Sequence, residues 1–300
     1  MTTVRGTIVL AMWPRLAWTI GVAAVVTVLH EHFGVWVPNV TTIPFTLVGL
    51  AISIFLGFRN NTSYDRFWEG RKLWGALVNV SRDLARDTLT YVRPKGEENG
   101  AEALAMRARQ VRSVAAYAHL LRMRLRDQRD HTGLAHLLSA DRLAALDDEH
   151  NRPIALLHWM GDDFRAAWDA GWVHDLHLPA LQAGLSRLTE IQGGCERIKA
   201  TPIPFSYTVL IHRIVGFYCF GLPFGLLTTT GVWTPLVVAM VAYAFYGLDA
   251  VGEEIEDPFG LDDNDLPLST LSRMIEVDAR KRLGDTDLPP LLAPVDHLLQ

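Results

Sequence analysis

The chain has 300 residues, 49% of them hydrophobic, with a formal net charge of -5. That balance argues against nucleic acid as a partner, and the apolar content sits at the upper edge for a water-soluble protein. Two cysteines, Cys195 and Cys219, support neither a disulfide framework nor a cysteine-based zinc site, and both read as packing residues.

Four apolar stretches have the length of a membrane-crossing helix: about residues 16–37, 40–58, 204–229 and 233–251. The first follows Arg5 and Arg15 without a small-residue cleavage site, so it reads as a retained span and not a signal peptide. The stretches form two pairs with connections free of Lys and Arg. By contrast, residues 59–201 carry 21 of the chain's 28 basic residues, which places both termini and the middle segment in the cytoplasm.

In the second stretch, Pro44 suits a first helical turn, with Thr41 or Thr42 available as its cap. Two stripes at i, i+4, i+8 follow. Gly49, Ser53 and Gly57 form a small-residue face on which another helix can approach closely. Leu50, Ile54 and Phe58 form a large apolar stripe; around a shared axis they would stack into rings that gate by excluding water. On spacing alone, the same stripe fits a face turned towards lipid.

Between the two pairs of spans, helical patterns cover about residues 64–92, 102–128, 141–148, 153–170 and 179–199, separated by Pro94-Lys95-Gly96 and Arg152-Pro153. No strand alternation or flexible linker interrupts them, so residues 1–300 read as one all-α domain, with a cytoplasmic helical region over about 59–203 and a tail over 252–300. Arg213, inside the third span, calls for an acidic partner, Asp249 or Glu253. His174 and His177 read as surface residues, and Trp68, Trp74, Trp159, Trp168 and Trp172 as packing or interfacial anchors. Glu253, Glu254, Glu256, Asp257, Asp262, Asp263 and Asp265 cluster after the last span. They suit either a hard cation such as calcium or helix caps and subunit salt bridges, and their spacing is not that of an EF-hand. No hydrolase, phosphate-loop or dinucleotide motif is present.

Three ordered blocks carry a family resemblance: residues 58–75 (FRNNTSYDRFWEGRKLWG), residues 193–198 with 201–213 (GGCERI and TPIPFSYTVLIHR), and residues 257–268 (DPFGLDDNDLPL). Together they resemble the bacterial bestrophin family of ion channels. The resemblance implies homopentamers around one central pore, four spans per subunit, and a large cytoplasmic helical region, in the bacterial inner membrane. The partners it implies are further copies of the chain, membrane lipids and small inorganic ions, with no enzymatic activity. It also implies that Leu50, Ile54 and Phe58 form the pore neck, with a second narrowing near Leu176. Asp257, Asp262 and Asp265 match calcium-ligand positions of eukaryotic relatives, but Asp257 stands where those have asparagine and Glu254 where they have glutamine. A bound calcium or other cation is therefore an open expectation, and no cofactor is required. The resemblance favours passive conduction of small monovalent anions such as chloride; the same architecture passing monovalent cations is the alternative. From other classes, a membrane-embedded metal-dependent enzyme would need a base or nucleophile near the acidic cluster, and a membrane scaffold would need no water-accessible path.

Overall fold

The computed structural model describes residues 8–36, 41–94 and 100–294; these form nine α-helices and no strand. In order they are α1 (Val9–Glu31), α2 (Thr42–Tyr91), α3 (Gly100–Leu125), α4 (Ala140–Ala145), α5 (Arg152–Asp169), α6 (Leu178–Ala200), α7 (Phe205–Thr230), α8 (Thr234–Glu254) and α9 (Leu268–Arg282). Three stretches are long and apolar enough to cross a membrane: Met12–Glu31, Thr42–Tyr91 and Phe205–Glu254. The last comprises α7 and α8, joined by a 3₁₀ turn at Gly231–Trp233, where Gly231 takes φ +49° and ψ -128°, a conformation open chiefly to glycine.

The chain divides into two compact units: residues 1–67 with 202–257, and residues 68–201 with 258–300. In the first unit α1 packs along α8 and α7 packs on both. The core of this unit contains Met12, Leu16, Ile52, Leu56, Ile211, Val215, Cys219, Ala242 and Tyr246. Small residues bring helices close: a methyl group on Gly49 would come within 2.6 Å of the Tyr218 hydroxyl, and one on Gly225 would overlap the Phe45 ring.

Two boundaries differ from the sequence reading. The first helix starts at Val9, takes Pro14 into its interior and ends at Glu31; Val37, its expected end, lies outside the described residues. The second is one unbroken helix of 50 residues, about 75 Å at 1.5 Å per residue, where a span ending at 58 and a new helix from 64 are expected. The polar run after Phe58 does not break it because its side chains bond elsewhere. The Asn60 amide donates to Leu248 O at 2.9 Å, and the Thr62 hydroxyl donates back to Phe58 O at 3.0 Å.

In the second unit α3 is enclosed from Gln110 to Leu125, with α5, α6 and α9 packed on it. The Tyr117 hydroxyl donates to Leu188 O at 2.8 Å, and Trp74 is fully buried. Burial pushes the Cys195 thiol up to about 12, which keeps it a protonated packing group. Glycines let the motif blocks meet here. A methyl on Gly70 would lie 3.0 Å from Phe259 and 3.2 Å from Leu266, and one on Gly194 would lie 2.9 Å from Leu73. The other four expected middle helices are present within a few residues of their boundaries, whereas α9 occupies a stretch read as tail.

What fixes α9 on α3 is Glu276, buried and accepting from His119 Nε2 at 2.9 Å and His136 Nε2 at 2.8 Å, with Arg280 at 3.3 Å and Arg273 at 3.6 Å. Burial alone would raise this carboxyl, but the histidine hydrogen bonds and the cationic neighbours outweigh it and bring it down to about 2. His119 is lowered, first by burial and then by Arg122 and Arg273, against the hydrogen bond to Glu276 that favours its charge; it therefore acts as a neutral donor at neutral pH. Both folded-state values lie below the ordinary ones, so each group binds protons more weakly folded than unfolded, and stability falls with pH. We expect the melting temperature of the purified protein to decline below the ordinary histidine value of 6.5 and again from the ordinary carboxylate value of 4.5 towards 2. In Glu276→Gln the lower limb should flatten; an unchanged profile would refute the assignment.

Candidate functional site

Successive residues of an α-helix turn about 100°, so α2 presents distinct faces. Gly49, Ile52, Leu56, Arg59 and Ser63, spaced by three and four, form its buried stripe. Leu50, Ile54 and Phe58 lie about half a turn away and are 62%, 50% and 61% exposed. They therefore take no part in the core of their own protomer. The small-residue stripe divides: Gly49 faces Tyr218, while Ser53 is exposed and Gly57 has open space beside it.

Arg59, next to Phe58, belongs to the buried face and is enclosed at 1% exposure. Although Arg59 opens the basic-rich segment that follows the apolar run, it points inward. Its Nη1 donates to Asp249 Oδ1 at 2.7 Å, and Nη2 lies 3.8 Å from Glu256. Asp249, equally buried, is also 2.6 Å from His212 Nδ1 and 3.7 Å from Arg15. Glu256 accepts from the Ile203 N–H at 3.1 Å, and its carbonyl accepts from Arg66 Nε at 3.0 Å. Removing one member of such a pair leaves the other charge buried and uncompensated, so the cluster clamps α2 to α8.

Asp249 is thus the acidic group the third span needs, but its partners are Arg59 and His212. Arg213 is exposed and makes no ion pair among the described residues, contrary to the pairing expected for it. His212 and Arg213 are adjacent, hence about 100° apart on α7, and only one of them can face α8.

Leu176, between α5 and α6, is 78% exposed, and its N–H donates to His174 Nδ1 at 3.2 Å. His177 stacks on Tyr91 with ring centres 4.3 Å apart. The Asp262 N–H donates to the Asp265 carboxylate at 2.8 Å and the Asp265 N–H returns to Asp262 O at 3.1 Å, closing a turn. Arg126 Nε donates to Phe259 O at 3.2 Å within the same loop. Asp257 ends the other unit and is exposed. Among the described residues no three carboxylate, histidine or cysteine groups converge as metal ligands.

A long helix with an exposed apolar stripe, clamped on its opposite side by buried ions, together with two further apolar stretches of spanning length, defines a helical membrane protein. Residues 1–281 match the family described as "Bacterial/Fungal Bestrophin protein", and the chain belongs to that family. It is 41% identical to a voltage-dependent anion channel-forming protein of Ralstonia nicotianae, over 95% of this chain and 91% of that one. Identity to a protein of the same description from Escherichia coli K12 is 36%, covering 89% and 84%. The crystal structure of a bestrophin homologue from Klebsiella pneumoniae superposes with a TM-score of 0.81 at 32% identity, covering 90% of this chain and 97% of that one.

Proposed function

We propose that the protein is a passive channel for small monovalent anions such as chloride, assembled as a homopentamer in the bacterial inner membrane. α1, the first part of α2, α7 and α8 cross the bilayer, and both termini lie in the cytoplasm. The α2 helices surround the axis, and Leu50, Ile54 and Phe58 form the neck. The observation that carries this reading is the outward apolar stripe on α2 opposite its ion-clamped face, in a chain whose relatives are named for anion channels. A neck of uncharged rings repels no sign of ion by itself. The sign is therefore the quantity to test: purified protein in planar bilayers under a potassium chloride gradient should reverse near the chloride equilibrium potential. Reversal near the potassium potential would make it a cation channel of the same architecture, and a folded protein passing no current would favour a scaffold. The proposal needs no bound metal and no enzymatic chemistry.

A further inference from the structure

Arg122, in the last turn of α3, and Arg126, just past its end, are four residues apart, with the Arg126 N–H donating to Arg122 O at 3.0 Å, and α9 packs on α3. Arg126 is fully engaged: beyond Phe259 O, it donates to Ser269 Oγ at 2.8 Å and approaches Leu266 O at 3.5 Å. Arg122 is different. Its guanidinium is half-buried, its Nε is fully enclosed with no hydrogen-bond partner, and among the described residues no carboxylate pairs with it. Arg122 lies one turn from His119, which is bonded to Glu276, and Arg273 lies 3.6 Å from that same carboxylate, so the two guanidinium groups share one neighbourhood, in which each lowers the proton affinity of its cationic surroundings. Arg273, on α9, also has an enclosed Nε without a hydrogen bond and only a loose 3.6 Å approach to Glu276. Glu276 is itself already taken by His119, His136 and Arg280. Arg273 thus shares a carboxylate already bound by three other groups, and Arg122 has no ion-pair partner among the described residues, although a half-buried guanidinium beside another is costly without one.

We propose that Arg122 and Arg273, backed by the field of Arg126, form an oxyanion-binding site between α3 and α9. Planar guanidinium forks match the paired oxygens of a phosphate or carboxylate, and both arginines keep partial access to solvent. The oxyanion comes either from solution, as phosphate, or from a carboxylate of a second copy of the chain. The site is independent of which ion the channel conducts.

The full-length protein in detergent should show a saturable rise in melting temperature as inorganic phosphate replaces chloride at constant ionic strength. Arg122→Gln and Arg273→Gln should each abolish that rise, while Arg122→Lys, which keeps the charge but loses the fork, should weaken apparent phosphate affinity by about tenfold or more. If the source is a neighbouring copy, phosphate will have little effect, and Arg122→Gln will lower the oligomer mass measured in detergent while Arg122→Lys partly restores it. The site is overturned if the wild type ignores phosphate and Arg122→Gln keeps the oligomer mass with equal or higher melting temperature. Should one glutamine variant fail to fold, the wild-type titration and the other variant still decide the matter.

Discussion

Asp249→Asn should destabilise the protein by about 3–5 kcal/mol, because it leaves Arg59 enclosed with only the more distant Glu256 as counter-charge while changing side-chain shape very little. Three interactions converge on this carboxylate, from Arg59, His212 and Arg15, and an amide offers only one oxygen to receive them. A marginally stable protein loses much of its margin to such a change, so the variant should give low yields of folded protein and a sharply lower melting temperature in detergent. Arg213→Gln provides the contrast. That side chain is exposed and without an ion pair among the described residues, so within a protomer its loss should cost under about 0.5 kcal/mol. The double variant Arg59→Met/Asp249→Leu separates a clamp from a mere sink of charge: removing both ions together should recover most of the stability lost in the single variant. A near-neutral Asp249→Asn, or a severe Arg213→Gln with intact oligomer, would show that the buried pair does not hold α2.

Arg59 illustrates why part of this site escapes a sequence reading. It follows an apolar run and opens a run rich in Arg, Asp and Glu, so hydropathy puts it at an interface and charge counting puts it outside. Only the phase of the helix reveals its direction: counted in steps of three and four from Gly49, it falls with Ile52 and Leu56 on the buried face. Asp249 was easier to read, since an acid in an otherwise apolar helix demands a partner; which neighbour supplies it depends on a rotation of about 100° that spacing in one helix cannot decide. For α9 the sequence carries a helical signal. Leu268, Ser272, Ile275 and Ala279 recur at helical spacing, Arg280, Lys281 and Arg282 occupy the last turn, and Gly284 follows with φ +82°. The acidic residues just before it have the composition of a cation site, but Asp262 and Asp265 close a turn on each other.

Ile54→Ala should raise ion flux through reconstituted protein by on the order of tenfold, with little change in thermal stability. The two halves of that expectation come from the same geometry. Ile54 is half exposed and outside the protomer core, so truncation opens no internal cavity and should cost under about 0.5 kcal/mol. If the side chain lines a neck, its removal takes about three apolar carbons per subunit from a ring whose barrier is the cost of wetting it. At roughly 0.8 kcal/mol per carbon, even half of one subunit's share approaches the 1.4 kcal/mol that changes a rate tenfold. Phe55→Ala is the matched control: Phe55 is 53% exposed and adjacent, but it lies off the Leu50, Ile54, Phe58 stripe by about 100°. A stripe facing lipid predicts no flux change for either variant. Increased flux in Phe55→Ala alone would rotate the pore face of α2 and remove the neck from Ile54. Increased flux in Ile54→Ala alone, with Leu50→Ala and Phe58→Ala acting in the same direction, would mean that the side of α2 opposite the Arg59–Asp249 clamp faces the ion path, so the residues that hold the helix and those that gate it occupy opposite faces of one element.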